Sequence, residues 1–95
     1  MNPEAATRHE PSVSAVIPTL NEERYLPALL ASLQAQTVPV REVIVADAGS
    51  SDRTVEEALA AGARVVPGGL PGVGRNHGAD VAEGEWLLFL DADVV

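Results

Sequence analysis

The sequence predicts an α/β protein built on a partly doubly wound parallel sheet. Short apolar segments alternate with segments whose apolar residues recur at helical spacing, in the order strand, helix, strand, helix, strand, helix, strand. This alternation is typical of parallel sheets. Apolar residues make up 46% of the chain but aromatic residues only 3%, which favours close packing of helices on a sheet. Residues 86–90 are apolar throughout, as expected of a strand covered on both faces.

The first half of the chain carries two predicted strands and one predicted helix. The first strand is expected over residues 13–17 and to end at Pro18, because proline cannot donate to a sheet ladder. Asn21 is expected to cap the first helix. The apolar face of that helix is formed by leucines at helical spacing: Leu26, Leu29, Leu30 and Leu33. The second strand is expected over residues 43–46, and residues 47–52 form a turn with several helix-capping side chains.

The second half predicts two further helices and two further strands. A helix is expected over residues 53–61, ending at Gly62. Its expected buried side chains are Val55, Ala58 and Leu59. A third strand is expected over residues 63–66. The glycine-rich stretch 67–74 then gives a flexible approach into a third helix, which runs to about residue 83 and precedes the last strand.

The predicted topology brings three polar segments together. Right-handed crossovers favour the strand order 3-2-1-4, with the third helix on the opposite face of the sheet from the other two. Ligands of open α/β sheets bind at the carboxyl ends of the strands, beside the point where the order reverses. Residues 19–22, 47–52 and 91–93 all follow strand ends. We therefore expect a ligand site at this edge.

Composition excludes several classes of function. The formal net charge is −8, all six basic residues are arginines and cysteine is absent. Nucleic acid is therefore not an expected partner, and disulfides and thiolate metal sites are excluded. No apolar run approaches the roughly 18 residues of a membrane span, and residues 1–11 show a flexible polar leader rather than a signal peptide. A cytoplasmic location follows by default.

Four sequence blocks carry a resemblance to a known family. Residues 17–23 (IPTLNEE), 47–54 (DAGSSDRT), 74–78 (GRNHG) and 91–93 (DAD) occur in the order and spacing of the family-two glycosyltransferases. The chain resembles that family over residues 12–95. The resemblance implies a Rossmann-like domain, the N-terminal half of a GT-A fold, which binds a nucleotide-diphospho-sugar. Full-length relatives can be membrane-associated.

The family resemblance also implies a reaction. Its members transfer a sugar, with inversion, from a UDP-, GDP- or dTDP-sugar donor to a hydroxyl acceptor, and the acceptor here is unknown. The base that deprotonates the acceptor is expected downstream of Val95, so the 95-residue chain is expected to be inactive, either as a fragment or as the product of a truncated gene. Two alternatives stay open: a nucleotide-binding module without catalysis, and a receiver-like signalling domain, whose expected lysine is missing.

The Asp-x-Asp element follows the last predicted strand. Two carboxylates at alternate positions offer hard oxygen ligands, which suit Mg²⁺ or Mn²⁺. The resemblance implies that Asp93 binds the metal that bridges the diphosphate, while Asp91 lies near the ribose. An isolated pair of this kind is more often a solvated turn, but its association with the other three blocks favours a metal site.

The remaining predicted donor-binding residues come from the first three blocks. They are Pro18, Thr19, Glu22, Asp47 and Arg75, and the resemblance implies contacts with the nucleoside or the diphosphate. Each charged residue has a structural alternative. Asp47 is also a common turn former, Glu22 also compensates a helix dipole, and Arg75 can pair with an acid of the Asp-x-Asp element.

Three further positions qualify this assignment. Many relatives have a second acid after the residue that matches Asp47, but Ala48 stands here, so the base of the donor stays open. Asp52 is interpreted mainly as a helix cap, and His77 as a surface or helix-packing residue. The glycines between residues 68 and 78 lack the spacing and the position of a dinucleotide-binding loop.

Overall fold

A computed structural model describes residues 12–36 and 40–92 of the chain. The predicted leader, residues 1–11, lies outside the described residues. The described elements alternate as the sequence predicts. They are β1 (Val13–Thr19), α1 (Leu26–Gln34), β2 (Glu42–Asp47), α2 (Thr54–Ala60), β3 (Arg64–Pro67), α3 (Pro71–Val81) and β4 (Trp86–Phe89).

The strands form one parallel sheet in the order β3-β2-β1-β4, which confirms the predicted order. Strand β1 therefore lies between β2 and β4, and the reversal of strand order falls beside it. The register pairs Thr19 with Asp47 at the ends of β1 and β2. On the other side, Val16 of β1 pairs with Phe89 of β4. This register brings the predicted polar segments to one edge of the sheet.

The two faces of the sheet pack against different helices. Ala15 and Ile17 of β1 belong to a core cluster that also contains Leu26 of α1 and Ala58 of α2. Burying each large apolar side chain of this kind contributes about 1.5–3 kcal/mol. The alternate residues of β1 and β2 face α3, and Gly74 and Gly78 of that helix approach them closely. Helix α3 thus lies on the opposite face from α1 and α2, as predicted.

Helix α3 begins earlier than the sequence predicts. It starts at Pro71, inside the glycine-rich stretch, and ends at Val81 because the next residue is extended. A Cβ atom on Gly78 would overlap the side chain of Val16, and one on Gly74 would lie 3.4 Å from the Cβ of Ala46. These glycines therefore permit close helix–sheet packing, and the expected flexible approach is wrong for them.

The first strand and the first helix also differ from expectation. Strand β1 continues through Pro18 to Thr19. The carbonyl of Thr19 accepts a hydrogen bond from the amide of Ala48, so the backbone of Thr19 faces β2. Successive residues of a strand direct their backbone polar groups to opposite neighbours, and the nitrogen of Pro18 therefore faces β4. The pairing of β1 with β4 ends at Phe89. The missing N–H of Pro18 therefore breaks no ladder bond. Asn21 does not cap α1, which begins at Leu26.

Two burial predictions are wrong. Leu59 is 59% exposed, because Thr54 and Ala58, four residues apart, form the buried face of α2. Strand β4 was expected to be covered on both faces, but Trp86 is 64% exposed and Leu88 40%. β4 is the outermost strand of the described sheet, with β1 as its neighbour. Among the described helices, none has the length and apolarity that a membrane crossing requires.

Candidate functional site

A cleft of about 580 Å³ opens at the carboxyl ends of β1 and β4, where the strand order reverses. Its lining residues come from the end of β1, from the segments after β1, β2 and β4, and from the two residues before α3: Pro18, Thr19, Leu20, Glu22, Ala48, Gly69, Leu70, Asp91 and Ala92. The structure thus brings together four of the predicted donor-binding residues. They are Pro18, Thr19, Glu22 and Asp91. The predicted metal ligand, Asp93, lies outside the described residues.

Asp47 stands beside this cleft at the end of β2 and is held by its own loop. Its carboxylate accepts hydrogen bonds from the Thr19 hydroxyl at 2.8 Å, the Ser50 hydroxyl, and the backbone amides of Gly49 at 3.1 Å and Ser50 at 2.8 Å. Burial raises the pKa of Asp47, but the hydrogen bonds from Ser50, Thr19 and Gly49 outweigh burial and hold that pKa below its ordinary value. Asp47 is therefore a charged turn former that also fixes the Thr19 hydroxyl.

The loop after β1 is bound to the loop after β2 by side chains of both. The amide of Asn21 donates to the Ser50 hydroxyl at 2.8 Å, and the Asn21 side-chain oxygen accepts from the amide of Ser51 at 2.8 Å. The amide of Glu22 donates to the Thr54 hydroxyl at 2.8 Å. These contacts join segments about thirty residues apart and place Glu22 at the cleft.

Asp52 satisfies amides at the start of α2, in agreement with its predicted capping role. Its carboxylate accepts from the Thr54 amide at 2.9 Å and from the Glu23 amide at 3.2 Å. Although desolvation opposes the shift, hydrogen bonds led by those of Thr54 lower the pKa of Asp52. Asp52 does not line the cleft, so its position also agrees with a structural role.

Arg75 of α3 does not line the cleft but contacts Asp91, which does. Its guanidinium Nη2 lies 3.7 Å from Oδ1 of Asp91, and the two side chains are 43% and 53% exposed. This pair is one of the alternatives left open by the sequence. Asp91 itself is flanked by the buried Ala92 and by Leu90, which packs on the core. The backbone around Asp91 is thus anchored, while its carboxylate is exposed.

The donor set of the cleft suits a hard divalent cation. Asp91 and Glu22 both line it, and carboxylate oxygens are the ligands that Mg²⁺ and Mn²⁺ prefer. Within residues 12–36 and 40–92, no group of three or more acidic or histidine side chains gathers as a complete metal centre. A metal here would therefore draw on ligands beyond those described, such as Asp93 or phosphate oxygens.

Sequence reasoning missed the apolar rim of the cleft. Leu20 is 54% exposed and Leu70 is 78% exposed, and both line the cleft with Gly69 and Ala92. Their placement directly after β1 and directly before α3 was the available signal, because such positions border the switch point. His77 does not enter the cleft, since its Nδ1 lies 2.7 Å from the carbonyl of Pro67, in keeping with the predicted packing role.

Comparison with known proteins identifies similar chains. Residues 14–95 match the family model described as glycosyl transferase family 2. The chain is 41% identical over 92 residues to a 4,4'-diaponeurosporenoate glycosyltransferase of Staphylococcus haemolyticus, covering 87% of this chain and 24% of that protein. It is 40% identical over 91 residues to a PGL/p-HBAD biosynthesis glycosyltransferase of Mycobacterium bovis, covering 87% of this chain and 36% of the relative. The chain therefore spans a minor part of both relatives.

Solved structures share the fold. The crystal structure of glucosyl-3-phosphoglycerate synthase from Mycobacterium tuberculosis with Mn²⁺, UDP and glucosyl-3-phosphoglycerate matches with a TM-score of 0.75 and 32% identity, over 90% of this chain and 34% of that one. The same enzyme with Mn²⁺, UDP-glucose and phosphoglyceric acid matches with the same TM-score and identity. These likenesses agree with the predicted Rossmann-like, GT-A architecture.

Proposed function

Because the chain belongs to glycosyl transferase family 2, we propose that it binds the nucleotide-diphosphate sugar donor of a metal-dependent, inverting glycosyltransferase. The observation that carries this proposal is the cleft at the switch point, where Thr19, Glu22 and Asp91 line one space. A UDP sugar is the donor we propose among UDP, GDP and dTDP sugars, since the similar synthase was crystallised with UDP and UDP-glucose. The acceptor is an unknown hydroxyl compound.

The β1–β2 side of the cleft, which we define as residues 18–22 and 47–54, would receive the nucleoside. Pro18, Thr19 and Glu22 line this part of the cleft. Asp47 would approach the base and the ribose while it holds the Thr19 hydroxyl. Hydrogen bonds already fix the Thr19 hydroxyl, the Asp47 carboxylate and the Glu22 backbone amide, so little ordering of these groups is required when the nucleoside binds.

The β4 side of the cleft, which we define as Arg75 and residues 90–92, would receive the diphosphate. A diphosphate beside Asp91 sets anion against anion, at about 4 kcal/mol for one pair of unit charges 4 Å apart at an effective dielectric near 20. Arg75, 3.7 Å from Asp91, offsets part of this repulsion. A bound Mn²⁺ or Mg²⁺ held by Asp93 would supply the remaining positive charge.

Metal-dependent UDP binding tests the proposal directly. We expect isothermal titration calorimetry to show UDP binding in Mn²⁺ that is about tenfold or more tighter than in excess chelator, a difference of about 1.4 kcal/mol. GDP and dTDP, titrated under the same conditions, test the choice of base. Equal UDP affinity in Mn²⁺ and in chelator would overturn the metal-bridged site.

Radiolabelled UDP sugars with hydroxyl acceptors separate binding from transfer. We propose that the general base belongs to the part of the similar glycosyltransferases that this chain does not match, since it spans 24% and 36% of two of them. We therefore expect this chain to bind donor without transferring sugar. Efficient transfer by the purified chain would contradict that placement of the base.

A further inference from the structure

Asn21 has a backbone conformation that its neighbours do not share. Its φ is +54°, and it is the one non-glycine residue with positive φ among residues 12–36 and 40–92. Asparagine, aspartate and glycine tolerate this left-handed region better than other residues. The left-handed residue redirects the chain between Thr19, at the end of β1, and Glu22, at the cleft.

The same residue carries contacts from both its backbone and its side chain. Its amide donates to the Ser50 hydroxyl, and its side-chain oxygen accepts from the Ser51 amide at 2.8 Å and lies 3.4 Å from the Ser51 hydroxyl. The Ser50 hydroxyl in turn donates to Asp47, which also accepts from Thr19. A continuous hydrogen-bonded chain therefore runs from Asn21 through Ser50 and Asp47 to Thr19.

We propose that Asn21 is a positioning residue that sets the geometry of the β1–β2 side of the cleft. It acts through Ser50 and Ser51 and through the direction it gives the backbone before Glu22. This inference rests on the proposed function and deepens it, because it identifies how the nucleoside end of the donor site is preorganised. The Asn21 side-chain oxygen holds the amide of Ser51, which adjoins Ser50. Because neighbouring hydrogen bonds support one another, loss of this oxygen loosens the loop that also holds Asp47 and Thr19.

Three variants separate the two properties of Asn21. Asn21→Gly keeps the left-handed backbone but removes the acceptor for Ser51. Asn21→Asp keeps both the left-handed backbone and the acceptor for the Ser51 amide. Asn21→Ala removes this acceptor and also strains the backbone. If Asn21 positions the site, Asp restores most of the function that Gly loses, and Ala loses the most. A role in backbone conformation alone predicts that Gly equals or exceeds Asp.

Two ligands in the presence of Mn²⁺ localise the effect. UDP engages both sides of the cleft, whereas inorganic pyrophosphate reaches only the β4 side. For Asn21→Gly we expect UDP binding to weaken by about fivefold, the equivalent of one hydrogen bond, and pyrophosphate binding to stay within about twofold. Unchanged UDP binding, or an equal loss for both ligands, would overturn the positioning role.

Hydrogen exchange supplies a measurement that needs no ligand. In Asn21→Gly we expect faster exchange of the Ser51 amide, with unchanged exchange in β1 and β2. Unchanged exchange at Ser51 overturns the assignment of Asn21 even if UDP binds to the unmutated chain. A chain that binds neither UDP nor pyrophosphate overturns the proposed function, while its exchange still reports whether Asn21 joins the loops.

Discussion

The two sides of the cleft hold their carboxylates in opposite ways. On the β1–β2 side, the Asp47 carboxylate accepts four hydrogen bonds. The Asp52 carboxylate accepts hydrogen bonds from two backbone amides. On the β4 side, Asp91 forms an ion pair with Arg75 at 3.7 Å, and both side chains are about half-exposed. One side is organised before any ligand arrives, and the other keeps carboxylate oxygens exposed.

The two sides are therefore suited to recognise different parts of the donor. A nucleoside has a fixed shape and few charges, so a site gains affinity when its polar groups are already ordered. A diphosphate with a divalent cation is recognised mainly by charge, and its ligands must be able to adjust to the coordination geometry of the metal. Asp47 and Asp52 thus have a structural role, and we propose that Asp47 also contacts the donor, whereas we expect Asp91 on the β4 side to affect binding alone.

Removing the Asp47 carboxylate should have the largest effect. Asp47→Ala leaves two hydroxyl groups and two amides without their acceptor, and we expect it to lower the free energy of unfolding by about 2–3 kcal/mol. We also expect it to weaken UDP binding more than Asp52→Ala does, since Asp52 lies outside the cleft lining. Urea denaturation followed by calorimetry of the folded variants measures both effects.

Asp52→Ala is the matched control for Asp47→Ala, because it removes a carboxylate from the same loop. We expect Asp52→Ala to lower the free energy of unfolding by less than Asp47→Ala does, as for a lost helix cap. A larger loss of stability and affinity for Asp52→Ala would reverse the assignment of the two acids.

Removing the Asp91 carboxylate should affect binding without affecting folding. We expect Asp91→Asn to change the free energy of unfolding by less than about 0.5 kcal/mol, as for other exposed positions. UDP affinity in Mn²⁺ should fall by about tenfold, or about 1.4 kcal/mol, if the carboxylate helps to hold the metal-bound donor. Asp80→Asn, on the exposed part of α3, removes the same charge elsewhere. Equal losses in both variants would indicate a general charge effect.

Local signals in the sequence were sufficient for the order of elements, whereas the choice of donor-binding residues came from the family resemblance. Apolar periodicity and turn residues predicted the strands and placed Asp47 and Asp91 at strand ends. They failed where distant contacts decide the conformation. The local sequence around Asn21 predicts a helix cap. Its side-chain oxygen instead accepts a hydrogen bond from the amide of Ser51, 30 residues away, and its backbone is left-handed.

The second prediction that failed is the start of α3, and the glycines of this segment explain why. Low helix propensity placed the start of α3 after Gly74, whereas Gly74 and Gly78 lie within the helix because larger residues would collide with the sheet. Tertiary packing overrides propensity there, and no pattern within the segment reports which face will meet the sheet. The exposure of Leu70 at the cleft was likewise invisible without the position of α3.

Acid pH should weaken the fold partly through the β1–β2 side. The pKa of Asp47 is lowered because its hydrogen bonds outweigh the opposing effect of burial. A lowered folded-state pKa gives stability that is present above the unfolded value of about 3.9 and is lost as pH falls through the folded value. We therefore expect the free energy of unfolding to decline below about pH 4. The free energy of unfolding of Asp47→Asn should decline less steeply over the same range.

Glu42 is the control for this pH dependence because it lies away from the cleft. Hydrogen bonds from the Glu83 amide and the Ser14 hydroxyl hold the pKa of Glu42 below its ordinary value. Glu42→Gln should also make the free energy of unfolding decline less steeply at acid pH, but it should leave the affinity for UDP unchanged. Urea denaturation across the acid range, with calorimetry at neutral pH, distinguishes the two. An Asp47→Asn profile parallel to that of the unmutated chain would contradict the assignment.

Replacing Arg75 should have the smallest effect on stability and a salt-dependent effect on binding. Its ion pair with Asp91 is long and half-exposed, so Arg75→Gln should change the free energy of unfolding by less than about 0.5 kcal/mol. At about 0.1 M salt the Debye length is about 10 Å, and at about 1 M it is about 3 Å, so the attraction of Arg75 for a diphosphate should fade between them. We expect the unmutated chain to bind UDP more tightly than Arg75→Gln at low salt, and the two to bind UDP about equally at high salt. The UDP affinity of Arg75→Lys should lie between theirs, because lysine keeps the charge but not the planar group. Calorimetry at the two salt concentrations measures this. If Arg75→Gln instead unfolds easily, Arg75 is part of the structural frame, and the two sides of the cleft are less different than their contacts indicate.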